Sequence, residues 1–232
     1  SSSSSSSMCD FAQSDAPKNP VTTVAGRGFQ STNLGVGTNA GFYGPRGIAV
    51  TADSSTLYVS QYGSGTSYGY IRKVNVTSNE VSAFAEGFYR PWGIALAPDE
   101  TYMLVVEYRY HRIQKLTVPG AVASVLAGGS SSGLTTNLGT TDGQGTNARF
   151  DDPRAIAIDS DGAYAYVADT DNHRIRRVTI SSGDVTTVAG PDSTSKYTGS
   201  TDGTGTNARF YYPYDIVYSN RGSGVYLYVA DR

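Results

Sequence analysis

Phe42-Tyr43-Gly44-Pro45-Arg46-Gly47-Ile48 returns three more times along the chain, at Phe88 to Ile94, Phe150 to Ile156 and Phe210 to Ile216. Each copy places a Pro three residues after the Phe and an Ile three residues after the Pro. The four Phe residues are separated by 46, 62 and 60 positions. A period of this size marks repeated supersecondary units that bury their apolar faces against one another.

Around each copy the apolar runs fall into four types in fixed order. The third repeat shows them most fully. Pro153-Arg154-Ala155-Ile156-Ala157-Ile158 is followed by Tyr166-Val167-Ala168-Asp169, then Ile175-Arg176-Arg177-Val178-Thr179-Ile180, then Val185-Thr186-Thr187-Val188-Ala189-Gly190. Each run is short and rich in β-branched or aromatic residues, and Gly, Ser and Asp punctuate the gaps, so each predicts a strand bounded by turns. Four strands per repeat is the unit of a β-propeller blade. The fold class expected is all-β, a β-propeller of four-stranded blades.

Composition agrees. The 232 residues include 27 Gly and 18 Tyr but only 2 Met, which suits short strands and tight turns. With 18 basic and 20 acidic residues the formal charge is -2, which provides no basic field for nucleic acid. No apolar run reaches the ~18 residues a spanning helix requires. Residues 1–19, with Ser1 to Ser7, Asp10, Asp15 and Pro17, read as a Ser-rich arm or linker, and residues 20–232 as the repeat array. Cys9, the single Cys, lies in that arm and has no internal partner for a disulfide.

The run Asp142-Gly143-Gln144-Gly145-Thr146-Asn147-Ala148-Arg149-Phe150, continuing through Pro153 to Asp159 and Tyr166-Val167-Ala168-Asp169-Thr170-Asp171-Asn172-His173-Arg174-Ile175, resembles the NHL-repeat family. Members carry a phrase like F-x-x-P-x-G-I-A-V-D followed by Y-V-A-D-x-x-N-H-R-I. The resemblance covers about residues 20–232. Repeat two departs from it, with Glu107-Tyr108-Arg109-Tyr110-His111, and repeat one inserts Tyr62 to Tyr70 and has no His at that place. The resemblance implies a propeller of about six blades, of which this chain carries about four, with the last incomplete. Val21 to Gly26 matches the fourth strand type and is expected to complete the blade opened by Pro213 to Asp231.

Strands of a blade alternate in direction, so the loop entering the Pro strand and the loop leaving the Tyr-Val-Ala-Asp strand share one end of the propeller. Tyr43, Tyr89, Trp92, Tyr108, Tyr110, Asp151, Asp152, Tyr211 and Tyr212 are the candidate interaction face, joined there by Glu107, Arg109, Asp171 and His173. An aromatic face of mixed charge suits a protein or glycan partner. His111 and His173 are the only His residues and occupy equivalent repeat positions, so a role in the turn is preferred to metal ligation. The same holds for Glu107, Asp169 and Asp231, with Gln61 fourth, as groups that tie the turn. The Asp-Gly-x-Gly-Thr-Asn runs at Asp142 and Asp202 read as turn chemistry rather than calcium or phosphate loops. Asn75-Val76-Thr77 is an N-glycosylation triplet, and the Ser tract would suit O-glycans.

The favoured reading is a non-enzymatic extracellular or cell-surface interaction or structural module, self-assembling as a scaffold or filament subunit. No catalytic residue, metal or other cofactor is assigned. The alternative is a metal-dependent propeller lyase or hydrolase, using His111, His173, Glu107 and Asp169. An RNA-binding role ranks below both, because Asp151, Asp152, Asp169 and Asp171 gather near the expected face.

Overall fold

The computed structural model describes residues 21–63, 68–129, 137–192, 196–221 and 224–232. The Ser-rich arm, its boundary with the repeats and Cys9 lie outside the described residues. Among the described residues sixteen strands occur: β1 (Gly35–Val36), β2 (Pro45–Val50), β3 (Thr56–Gln61), β4 (Gly69–Asn75), β5 (Glu80–Phe88), β6 (Pro91–Leu96), β7 (Tyr102–Glu107) and β8 (Arg112–Thr117), then β9 (Ala123–Gly128), β10 (Gly143–Gln144), β11 (Ala155–Ile158), β12 (Tyr164–Asp169), β13 (Arg174–Thr179), β14 (Asp184–Ala189), β15 (Asp215–Ser219) and β16 (Tyr226–Ala230).

They form antiparallel sheets ordered β1-β5-β4-β3-β2, β6-β7-β8-β9, β10-β14-β13-β12-β11 and β15-β16. The Pro strand is one edge of every sheet. β2 lies against β6, β6 against β11 and β11 against β15, so the Pro strands make the inner edges around a common channel. The expected propeller is therefore present: three blades with all four strand types and a two-stranded fourth.

Period-two alternation explains how the blades stack. In β7, Tyr102, Leu104 and Val106 pack with Phe150, Val167 and Val178 of the third blade. The intervening Met103 and Val105 pack with Tyr58, Ile71 and Phe88 of the first. Every residue of β7 is thereby buried, as expected for a strand sandwiched between two sheets. β12 repeats the device: Ala165 and Val167 face the second blade, while Tyr166 and Ala168 face Ile216, Leu227 and Val229 of the fourth.

Two features depart from the expectations. Val21 to Gly26 does not pair with β15-β16. It forms no strand, and Val24 and Ala25 pack on Leu57, Val59 and Val74 of the first blade. The cause is the connection that follows: the Gly26 N–H donates to the Gly37 carbonyl at 3.1 Å, as the Gly190 N–H at the end of β14 donates to Gly205 at 3.2 Å. This segment therefore leads into the first blade as β14 leads into the fourth.

The Asp-Gly-x-Gly-Thr-Asn run at Asp142 is more than a turn. Gly143 and Gln144 add a short outer strand to β14, and Gly145–Asn147 form one 3-10 turn that Gly145 opens at φ +54°. The Asp142 carboxylate accepts from Arg176 at 2.7 Å and from the Thr187 N–H at 3.1 Å, so it ties strands together rather than closing a local turn.

Candidate functional site

The acid at the end of the Tyr-Val-Ala-Asp strand holds the loop that opens its own blade. Glu107 accepts the Tyr89 N–H at 2.6 Å, Asp169 the Asp151 N–H at 2.8 Å and Asp231 the Tyr211 N–H at 2.9 Å. The two loop sets do share one end of the propeller. Gln61 occupies the same position in the first blade, and its side-chain nitrogen and oxygen are buried with no hydrogen-bond partner among the described residues.

His111 and His173 instead link neighbouring blades. Each adopts the left-handed backbone conformation, at φ +52° and +56°. The Asp152 N–H donates to Nδ1 of His111 at 3.0 Å, and the Tyr212 N–H to Nδ1 of His173 at 3.1 Å. A ring nitrogen that accepts an N–H carries no proton, so both rings use their Nδ1 lone pair structurally. Burial, reinforced by nearby Lys196, holds the His173 pKa below its ordinary value.

His111, Asp151 and Asp152 are the one group of three metal-type donors among the described residues, with candidate ligand atoms within 4.8 Å of one another. Its chemistry does not suit an ion: Nδ1 of His111 is engaged by the Asp152 N–H, and Asp151 pairs with Lys196. Asp152 also lies 3.4 Å from Arg109. Glu107 and Asp169 are equally committed. Glu107 bonds Arg112 and Gln114 at its second oxygen, while Asp169 accepts from Asn172 at 2.9 Å and Arg176 at 2.8 Å. Burial raises the Asp169 pKa against the pull of Arg176 and its other donors.

The candidate face separates into local groups. Tyr89 and Tyr110 stack at 4.7 Å, and burial pushes the Tyr110 phenol up to about 12. Tyr110 and Asp152 are buried, which corrects their reading as open contact residues: the former lies beneath Tyr68 and Tyr89, the latter in the seam beside His111. Tyr211 is exposed and stacks on His173, with Tyr212 edge-on to the same imidazole at 4.5 Å. Tyr43 is half-buried, and Asp151 lies beside Lys196. Asn75 is exposed and its Oδ1 accepts the Thr77 and Ser78 N–H groups in a local turn.

Trp92 and Tyr108 belong to a different place, the mouth of the central channel. The residue after each repeat Pro is Arg46, Trp92, Arg154 and Tyr214, an alternation of guanidinium and aromatic ring. Arg46 lies 4.5 Å from the Trp92 centroid, and Arg154 lies 5.1 Å from Trp92 and 4.5 Å from Tyr214. Trp92 meets Tyr62, Tyr108 and Tyr214 at 5.9, 5.1 and 5.6 Å. These side chains head a cavity of about 370 Å³ lined by all four Pro strands, with Asp215 on its wall. Burial lifts the Tyr62 phenol to about 12. Sequence reading found Trp92 and Tyr108 but missed Arg46, Arg154 and Tyr214. Their position in the phrase is one that the repeat leaves variable.

Comparison with known proteins agrees on the architecture. No protein-family model matches the chain. It is 31% identical over 124 residues to NHL repeat-containing protein 2 of Gallus gallus, a match covering 53% of this chain and 15% of that protein. Among solved structures, an auxiliary nutrient binding protein of Bacteroides ovatus superposes with a TM-score of 0.61 at 20% identity, over 78% of this chain and 44% of that one. One of the same description from Bacteroides thetaiotaomicron gives 0.58 at 19%, over 81% and 57%. A putative phosphatase of the latter organism gives 0.56 at 19%, over 84% and 45%. The chain thus spans 15% of its curated relative and about half the length of these structural neighbours. At such identities the neighbours establish the fold alone.

Proposed function

We propose that this β-propeller, whose repeats resemble those of the NHL family and which is similar to an NHL repeat-containing protein, is a non-enzymatic binding module whose ligand site is the channel mouth. The observation that carries this is the ring of Arg46, Trp92, Arg154 and Tyr214 above a cavity of about 370 Å³. A concave site with aromatic walls and a few charged groups suits capture of a small ligand. The acids and imidazoles that an enzyme would require are held in structural bonds, as Glu107, Asp169, His111 and His173 show. The two Bacteroides neighbours are auxiliary nutrient binding proteins, which supports a binding role. An extracellular or cell-surface location accords with the Asn75 triplet and the Ser tract.

Trp92 is the chain's single Trp, so its fluorescence reports on this site alone. Saturable change in its emission on titration with a panel of soluble saccharides and peptides is the expected result. A panel that leaves the emission unchanged overturns the reading, as does turnover of lactone or ester substrates above background with zinc or calcium.

A second reading, self-assembly, is favoured by the two outer blade faces. Ile48 and Val50 on β2 are 63% and 52% exposed, and Tyr226 and Tyr228 on β16 are 52% and 62% exposed. These are the two sides of the contact that buries β7 and β12, so each fits the complementary face of a further blade, which a second copy supplies head to tail in this reading. Light scattering that reports a monomer at high concentration sinks this second reading.

A further inference from the structure

Arg46 and Arg154 place two like charges beside one indole, 4.5 and 5.1 Å from its centroid. Among the described residues no carboxylate approaches either guanidinium within the 4.0 Å of an ion pair. Nε of Arg154 is buried and has no hydrogen-bond partner among those residues. A buried Nε without a partner is shared with Arg72, Arg176 and Arg177, but Arg176 bonds the carboxylates of both Asp169 and Asp142, and Arg112 bonds Glu107. Arg154 is flanked by the Tyr108 phenol and, at longer range, by the Asp171 carboxylate, but a guanidinium in a cleft without an ion pair keeps a fork shaped for a carboxylate.

The same cavity carries Asp215, where the preceding Pro strands have Gly47, Gly93 and Ala155. One oxygen of Asp215 accepts the Ile216 N–H at 2.9 Å. A carboxylate can only accept, so it favours a ligand bearing hydroxyl donors and disfavours a second bare anion nearby. Guanidiniums lie over Trp92 and Tyr214, and Tyr214, 38% exposed, leaves apolar ring surface beside them for the apolar face of a ring.

A ligand with a carboxylate, several hydroxyls and a ring face is an acidic saccharide. We propose that the channel mouth binds a uronic-acid-containing oligosaccharide, its carboxylate received by the guanidiniums of Arg46 and Arg154, its ring against Tyr214 beside Trp92 and a hydroxyl on Asp215. This rests on the channel mouth being a binding site at all, and names what enters it. Loss of one charge-assisted contact should weaken binding about tenfold.

The test is Trp92 emission titrated with an oligogalacturonide, the neutral galacto-oligosaccharide of equal length and tetra-aspartate. The expected result is saturation by the oligogalacturonide alone, weakened by salt and about tenfold by R46Q or R154Q. Arg46 is exposed, so R46Q keeps the test valid if R154Q fails to fold. Equal binding of the neutral sugar overturns the acidic assignment and leaves the binding module standing. Binding of tetra-aspartate as tightly as the uronide overturns the saccharide assignment in favour of an acidic peptide. Silence of all three probes overturns the proposal, and silence across the wider panel overturns the module with it.

Discussion

The Asp152 N–H donates to Nδ1 of His111 at 3.0 Å, and so the turn of the second blade holds the loop that opens the third. The Tyr212 N–H and His173 repeat the bond one blade later, at 3.1 Å. In both places a left-handed residue presents an unprotonated acceptor to a backbone donor in the neighbouring sheet.

This link should respond to pH. The His173 pKa is lowered in the folded chain, by burial first and Lys196 second. Between that value and the unfolded pKa of about 6.5 the unfolded chain binds more protons, so stability rises with pH there. It is fully present above about 6.5 and is lost as pH falls through the folded pKa, where protonated Nδ1 can no longer accept. H173N keeps an acceptor at this place and tolerates the left-handed backbone, and it should flatten the dependence. Thermal melts of both chains between pH 5 and 8 check it; parallel curves would refute the assignment.

Metal should have no effect on stability. A bound ion raises Tm by mass action, but the donors of His111, Glu107 and Asp169 are already engaged. Melts with millimolar zinc or calcium are expected to overlay those with chelator. A rise that saturates at one equivalent would show that an ion displaces the Asp152 N–H.

The first blade carries a repairable fault. Gln61 stands where Glu107 and Asp169 stand, but its amide is buried without partners among the described residues, and Arg72 beside it on β4 donates to the Thr32 carbonyl at 3.1 Å. Arg72 is placed in register as Arg176 is in the third blade, two residues beyond the partner of the strand-ending residue. Q61E should gain the Tyr43 N–H and Arg72, raising stability by about 1–2 kcal/mol once burial of the charge is offset. Urea unfolding decides it, and a loss would show that desolvation outweighs both bonds.

Inner strands approach too closely for a side chain at two seams: a Cβ on Gly47 would lie 2.5 Å from the Trp92 carbonyl oxygen, and the next seam repeats this. A Cβ on Gly93 would lie 2.5 Å from the Arg154 carbonyl, whose oxygen also accepts the Gly93 N–H at 2.8 Å. G93A should cost about 1–3 kcal/mol by overpacking. The equivalent change is already present as Ala155 in the third blade, which shows that the seam rather than the repeat position imposes the glycine. Unchanged stability in G93A would mean that the second and third blades can separate without cost.

The phrase Phe-x-x-Pro-x-x-Ile made the fold legible because each of its residues does the same work in every blade. The tying role of Glu107, Asp169 and Asp231 was legible for the same reason. Burial of Tyr110 and Asp152 was not, because it depends on what the neighbouring blade places over them. Arg46 and Arg154 escaped notice because repetition marks what blades share, and a ligand site at the channel is built from what they do not.

The buried pair of Asp169 and Arg176 gives the sharpest stability test. Both side chains are fully buried and meet at 2.8 Å, with Arg176 also reaching Asp142 and the carbonyls of Arg149 and Thr141. Replacing one partner leaves the other charge uncompensated, which costs about 3–5 kcal/mol. D169N should therefore be severe although it is isosteric, and R176Q alone comparably so. The second blade pairs Glu107 with Gln114, so the site can hold a glutamine opposite an acid when another cation, there Arg112, is near. Arg174 is the third-blade residue at that position, its Nε donating to the Asn172 carbonyl at 3.2 Å and its charge acting together with that of Asp169. The double variant D169N/R176Q removes both charges at once and should recover at least half of the sum of the single losses in urea unfolding. Strict additivity would mean that the two side chains act through Asp142, Asn172 and the loop carbonyls rather than through each other.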